Sequence, residues 1–318
     1  MFKSSGQLLK RMVLLSAIGA ILCVFGIVSF NIFSSVPPTI KTPRILSPTI
    51  SKNTIETPKP SLPAISKSYI EKQIDAIRSV PPTDKFSFAV LSDSHVNRDN
   101  GSNTETLESI LEDIDSNNYS FAIAVGDLVV GGVPNGPQFF YDIIKDEKTP
   151  ILTAVGNHDI EVDGGKNYLS TFGDFYYSFS YGNSLFIVAG DASIDMVSAE
   201  QVSWLETQLQ KDYLHKFVFM HIPFYDPRQN INHDLVVFPS GDVKALLASA
   251  LMEKYKPDIV FFGHIHAYYD WTVNGVRYIT TGGAGGSPVG NDPQHNFHNY
   301  IRVDIDTDKV EAQAIKIP

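Results

Sequence analysis

The sequence predicts an α/β fold in which two mixed β-sheets pack face to face between helices, a four-layer αββα sandwich, preceded by one N-terminal transmembrane helix. Three observations predict it. Five short apolar runs, Phe86–Leu91, Phe121–Val125, Ile151–Val155, Phe217–Met220 and Ile259–Phe262, are rich in β-branched and aromatic residues and stop at turn residues, as buried strands do. Helical periodicity alternates with these runs, and hairpin signals follow further along the chain. Met12–Phe33 is a run of 22 residues without a charge, behind Lys10 and Arg11, long enough to cross a bilayer as a helix.

In chain order, residues 1–11 read as a short cytoplasmic N-terminus and 12–33 as the anchor. A cleavable signal would have a shorter apolar core and a small-x-small site, and Leu22 stands before Cys23 where a lipoprotein signal needs a small residue. An uncleaved membrane anchor is therefore expected, with a secreted protein if the segment is removed. Lys3, Lys10 and Arg11 place the N-terminus inside and the rest outside, although Lys41 and Arg44 dilute that bias. Residues 34–66 hold seven prolines among Ser, Thr and Lys, a composition that makes an extended spacer rather than a core. Residues 67–318 form the expected globular domain.

That domain opens with a short helix over Lys67–Val80, stopped by Pro81-Pro82. After the first strand, Leu107, Ile110, Leu111 and Ile114 recur at i, i+3, i+4, i+7 and predict an amphipathic helix; Phe139, Phe140, Ile143 and Ile144 supply a second, with Pro150 marking the next strand. Tyr176–Ser180 and Leu185–Ala189 flank Gly182-Asn183, a hairpin signal. Ser198 with Gln201 reads as a capping box for a helix to about Lys211, and Val243, Leu246, Leu247, Ala250 and Leu251 as the apolar face of another before Pro257. Trp271–Val273 with Val276–Thr280, around Asn274-Gly275, and Tyr300–Ile305 with Val310–Ile317 complete two more hairpins.

Composition narrows the chemistry. Residues 1–68 carry eight Lys/Arg and one acid, leaving 17 basic against 34 acidic residues in the remainder. Polyanion binding needs clustered Lys/Arg, so no nucleic-acid-binding surface is expected. Cys23 is the only cysteine and lies in the apolar segment, which removes disulfides, thiolate metal sites and cysteine nucleophiles from the domain. Any metal must be held by N and O donors.

The strands each run into such donors. Phe86–Leu91 leads to Asp93-Ser94-His95, Phe121–Val125 to Gly126-Asp127, Ile151–Val155 to Gly156-Asn157-His158-Asp159, Phe217–Met220 to His221, and Ile259–Phe262 to Gly263-His264-Ile265-His266. In α/β sheets, ligands collect at the carboxyl ends of strands. Spacings of 34 residues from Asp93 to Asp127 and 30 from Asp127 to Asn157 each fit one strand–helix–strand unit, which puts the three on neighbouring strand ends.

The order D-x-H, G-D, G-N-H-[DE], a lone H and G-H-x-H resembles the calcineurin-like metallophosphoesterase family over roughly residues 84–290, with every ligand position filled. The resemblance implies two divalent metal ions (Mn, Fe, Zn, Ni or Co), one held by Asp93, His95, Asp127 and His266 and the other by Asp127, Asn157, His221 and His264. Asp127 would bridge them. A metal-bridging hydroxide would then attack the phosphorus of a phosphate mono- or diester. His158 would face the phosphoryl group as general acid or charge stabiliser, with Asp159 orienting its ring. Purple acid phosphatases place a tyrosine ligand three residues after the bridging Asp, where this chain has Val130, and lack the histidine present as His95; a ferric-tyrosinate centre is not expected.

Around these strand ends, Tyr225, Arg228, His233, Tyr268, Tyr269, His295 and His298 lie in loops, with Arg228 and Tyr225 the candidate substrate contacts. The Gly282–Gly286 run has no helix after it, so it is read as a turn beneath the histidines rather than a phosphate loop. The expected activity is thus that of a membrane-anchored, metal-dependent phosphoesterase acting on a small phosphoester. Two alternatives are a cyclic-nucleotide or other nucleotide phosphodiesterase and a catalytically silent scaffold of the same fold.

Overall fold

A computed structural model describes residues 66–98, 101–193, 195–228 and 243–317. The expected span Met12–Phe33, nearly all of the spacer, and His233 lie outside them. Among the described residues, no helix is long and apolar enough to cross a membrane.

Helix α1 (Tyr69–Ser79) starts on a reciprocal capping box: Ser68 Oγ accepts from Glu71 N at 3.2 Å and Glu71 Oε2 from Ser68 N at 2.7 Å. The chain then alternates β1 (Lys85–Leu91), α2 (Gly101–Ser116), β2 (Ala122–Val125), α3 (Gly136–Ile144), β3 (Ile151–Ala154), α4 (Asn157–Ile160) and α5 (Lys166–Thr171). β4 (Tyr177–Tyr181) and β5 (Ser184–Val188) form the hairpin, followed by α6 (Ala199–Leu209), β6 (His215–Phe219), α7 (Val243–Tyr255) and β7 (Ile259–Phe262). β8 (Tyr269–Val273), β9 (Val276–Thr280), β10 (Asn299–Asp306) and β11 (Lys309–Lys316) close the domain.

These strands make two mixed sheets. The first runs β11-β10-β1-β2-β3, with β1, β2 and β3 parallel; the second runs β4-β5-β6-β7-β9-β8, with β5, β6, β7 and β9 parallel and antiparallel strands at both edges. Phenylalanine joins the sheets: the Phe88 ring of β1 lies 5.2 Å from both Phe186 and Phe217 of the second sheet, and Phe186 also meets Phe121 at 4.9 Å. The alternating residues Leu185, Ile187, Val218, Met220, Val260 and Phe262 face the other way, onto Leu205 and Leu209 of α6 and Met252 of α7.

Two local expectations are corrected. Gln201 does not complete a capping box: Ser198 accepts from Gln201 N, but the Gln201 side chain is buried and bonds both ways with the Gly190 backbone, satisfying a main-chain pair that no strand reaches. In α7 the face that packs is Ala248 and Met252, whereas Leu246 and Leu247 are exposed. This helix has apolar residues on both sides, so periodicity alone cannot choose its inner face.

Candidate metal centre

Register brings the strand ends together. Leu91 pairs with Ala124, and Ala124 with Thr153, so Asp93, Asp127 and Asn157 leave the first sheet two to four residues beyond one transverse row. Phe219 pairs with Phe261, which delivers His221 and His264 from the second sheet at the same level. The loops between are bent hard. Asp93, His95, Asp127, His264 and His266 all have left-handed backbone, with φ of 57°, 46°, 49°, 70° and 46°. Non-glycine residues held there cost on the order of 1–3 kcal/mol each and collect at functional sites. Hydrogen bonds hold the bends: Asp93 N donates to Gly126 O and His95 N to Asp127 O, each at 3.1 Å, and His264 N to the Asp93 carboxylate at 3.0 Å. A Cβ on Gly156 would lie 2.0 Å from Asp127 N, and one on Gly263 1.9 Å from Ser92 Oγ, so these loops touch where only glycine fits.

The side chains converge in two groups, Asp93, His95, Asp127 and His266, and Asp127, His221 and His264, whose donor atoms lie within 4.8 Å of one another in each group. Asp127 belongs to both. Asn157 Oδ1 joins the second group, 2.8 Å from His264 Nδ1 and 3.2 Å from His221 Nε2. In the first, His95 Nε2 and His266 Nε2 stand 3.0 Å apart and 3.9 and 3.4 Å from Asp93 Oδ1. With both rings neutral one nitrogen can donate to the other, and the same two nitrogens, together with the carboxylates, are placed to share a cation. The outer ring nitrogens are spent on carbonyls, His221 Nδ1 on Val125 O at 2.8 Å and His266 Nδ1 on Ser287 O at 3.0 Å, which turns each Nε2 inward. The N/O donor set fits Mn, Fe, Zn, Ni or Co without selecting among them.

Charge is distributed unequally over this set. Burial pushes the His95 imidazole down to about 3, so it is neutral and able to coordinate. Burial also opposes charge on His221, but the carboxylates of Asp127, Asp93 and Asp191 outweigh it and raise that ring to about 10; Asp127 is held below the usual carboxylate range despite its burial, chiefly by His221. A cation at His221 Nε2 must displace a proton that the ring carries throughout the neutral range. Metal loading at pH 7 is therefore expected to release about one proton from this ring, and apparent affinity to fall as pH is lowered. Indicator-dye titration with Mn measures it; no proton release and a flat affinity between pH 6 and 8 would contradict the assignment.

The sequence profile of the family described as calcineurin-like phosphoesterase matches residues 86–268, more than half of the chain. The chain belongs to the calcineurin-like phosphoesterase family. It is 27% identical over 194 residues to the human serine/threonine-protein phosphatase CPPED1, a match covering 54% of this chain and 61% of that relative. A probable cyclic nucleotide phosphodiesterase of Fibrobacter succinogenes is 25% identical over 217 residues, 60% of this chain and 77% of the relative. Among solved structures, a dimetal phosphatase from Danio rerio superposes with a TM-score of 0.56 at 13% identity, covering 74% of this chain and 96% of that one. The purple acid phosphatase PPD1 from yellow lupin gives 0.58 at 18% identity, covering 73% and 51%. At those identities the structures establish the shared fold.

Within this family member, the remaining candidate residues divide. His158 lies beside the donors, its Nε2 3.8 Å from Asp127 Oδ2 and its ring 4.9 Å from that of His95. Asp159 does not touch that ring; its buried carboxylate accepts from Leu128 N, Val129 N and Gly156 N and ties two ligand loops together. Glu161 stands at His158 Nδ1 instead, 2.8 Å away. The two candidate substrate contacts are also otherwise engaged. Tyr225 donates to Glu253 and packs on Tyr278 behind the second sheet, and Arg228 is buried with Nε and one terminal nitrogen on Asp226. A folded loop lets a nearby acid claim each polar head, which sequence position does not disclose. His295 stacks on Tyr269 and bonds Tyr268 O, and His298 bonds Gly283 O. The Gly282–Gly286 turn lies against the ligand loops, with Gly286 N donating to Asp93 O at 2.8 Å. Sequence reasoning passed over Asp191, whose carboxylate accepts from His221 N at 2.7 Å and Ile222 N at 2.8 Å. Its signal was present: Gly190-Asp191 follows an apolar strand as Gly126-Asp127 does.

Proposed function

We propose that the chain is a membrane-tethered, metal-dependent phosphoesterase that hydrolyses phosphate mono- or diesters. The observation that supports it is the meeting of two donor groups at Asp127. Asp93, His95, Asp127 and His266 would hold one cation and Asp127, Asn157, His221 and His264 the other; bound there, the pair supplies Lewis acidity and a water ionisable near neutral pH. Because only two of seven donors are carboxylates, the loaded site keeps net positive charge and draws phosphate in. His158, about a third exposed, places Nε2 3.8 Å from Asp127 Oδ2, where it would give a proton to the departing oxygen. Nucleotide diesters, cyclic ones included, are a second reading, favoured by the Fibrobacter relative.

The test is turnover by the full-length chain of nitrophenyl mono- and diesters and a cyclic nucleotide, with Mn, Fe, Zn, Ni and Co in turn. Hydrolysis of at least one substrate, dependent on added metal and lost on chelation, is expected. Silence with every metal would sink the enzymatic reading and favour a scaffold. In the same proposal residues 12–33 anchor the chain, 34–66 space it from the bilayer and 67–318 work on the extracytoplasmic side, resting on the uncharged run alone. Release of the chain from membranes by alkaline carbonate would remove the anchor.

A further inference from the structure

We propose that Glu161 is the positioning residue of His158, holding the ring by Nδ1 so that Nε2 faces the reacting phosphoester. The inference rests on the phosphoesterase reading for its chemistry, not for its geometry. Both residues lie on the single turn begun by α4, where positions three apart share a face. His158 Nδ1 is closed off from solvent and has no hydrogen-bond partner, yet Glu161 Oε1 stands 2.8 Å from it, within donor–acceptor distance although not in hydrogen-bond geometry. His158 Nε2 points the opposite way, toward Asp127 Oδ2.

Two further features separate this pair from an incidental surface ion pair, which would contribute little. Asp159, the carboxylate adjacent in sequence, is saturated by three backbone N–H groups and is not available to the ring. Gly131 passes beneath the contact so closely that a Cβ there would lie 2.3 Å from His158 Nδ1 and 2.2 Å from Glu161 Oε2. That glycine's backbone is not left-handed, so space, not conformation, is what a side chain would violate. The floor of the pair is cut to admit both groups at once.

In the reaction, the bond from phosphorus to the leaving oxygen breaks as water supplies the new oxygen. The departing oxygen takes the proton from Nε2, and the ring regains one from the water consumed. Glu161 neither gives nor takes a proton in this step. Its removal leaves the ring free to turn, which matters most when the leaving oxygen is basic.

The experiment uses the full-length chain with E161A, E161Q and G131A. Rates are measured on paired esters with a nitrophenyl and an unsubstituted phenyl leaving group, alongside metal content per chain. E161A is expected to lower kcat for the phenyl ester about 10–100-fold, the range for residues that orient a site's ligands and bases, with a smaller loss for the nitrophenyl ester. KM and metal content stay near wild type, E161Q recovers much of the loss because an acceptor oxygen remains, and G131A behaves like E161A. Equal losses on both esters, or none, would overturn the proposal. A second readout needs no turnover: in zinc-loaded, 15N-histidine-labelled protein, the Nδ1–H of His158 should give a hydrogen-bonded proton resonance in wild type that shifts or is lost in E161A. An identical ring spectrum in both would overturn it, whereas an inactive wild type with the spectral change would defeat only the phosphoesterase reading.

Discussion

Asp127→Ala is expected to cut kcat/KM for metal-dependent phosphoester hydrolysis by about a thousandfold or more, equivalent to roughly 4 kcal/mol of transition-state stabilisation. Among the described residues no other side chain enters both donor groups, so its loss should weaken both together. It also holds the turn carrying the neighbouring motif, since His158 N donates to Asp127 Oδ1 at 2.9 Å. Metal analysis should find fewer than two ions per chain, and urea unfolding should remain cooperative because the aromatic core is untouched. Turnover within tenfold of wild type at saturating Mn would remove Asp127 from the role.

Phe186→Ala should destabilise the domain by about 3–5 kcal/mol, the range for truncating a fully buried aromatic. Its ring is completely buried and meets Phe86, Phe88, Phe121, Phe179, Phe217 and Phe219, drawing on both sheets. A domain with a typical margin of about 5–15 kcal/mol would lose a large share of it. The urea midpoint of Phe186→Ala against wild type reads this directly; a change below about 1 kcal/mol would mean that the layer closes over the gap.

The strands and the donors were legible in the sequence for one reason. Each of the five apolar runs, Ile259–Phe262 among them, ends at the end of its strand or one residue past it, and the residues that follow sit on the sheet's rim. What lay outside that logic was side-chain direction. Arg228 and Tyr225 occupy loops near the rim, but which acid each meets, Asp226 or Glu253, depends on how the loop folds back. Leu246 and Leu247 look like an inner face until the small Ala248 is found there instead, because a helix rich in apolar residues offers two stripes. Glu161 carries no signature beyond following His158 by three residues, and Asp159 was nearer in sequence and chemically equivalent. Its commitment to three backbone donors exists only in the folded chain.

Each donor group is drawn from both sheets: Asp93, His95 and Asp127 reach in from one side, His221, His264 and His266 from the other. The phenylalanine layer between the sheets therefore spaces the halves of both donor groups, because it lies between the two sets of strands that carry them. A substitution deep in that layer, far from any solvent, is therefore expected to disturb both donor groups together, as a loss of metal content alongside the loss of stability.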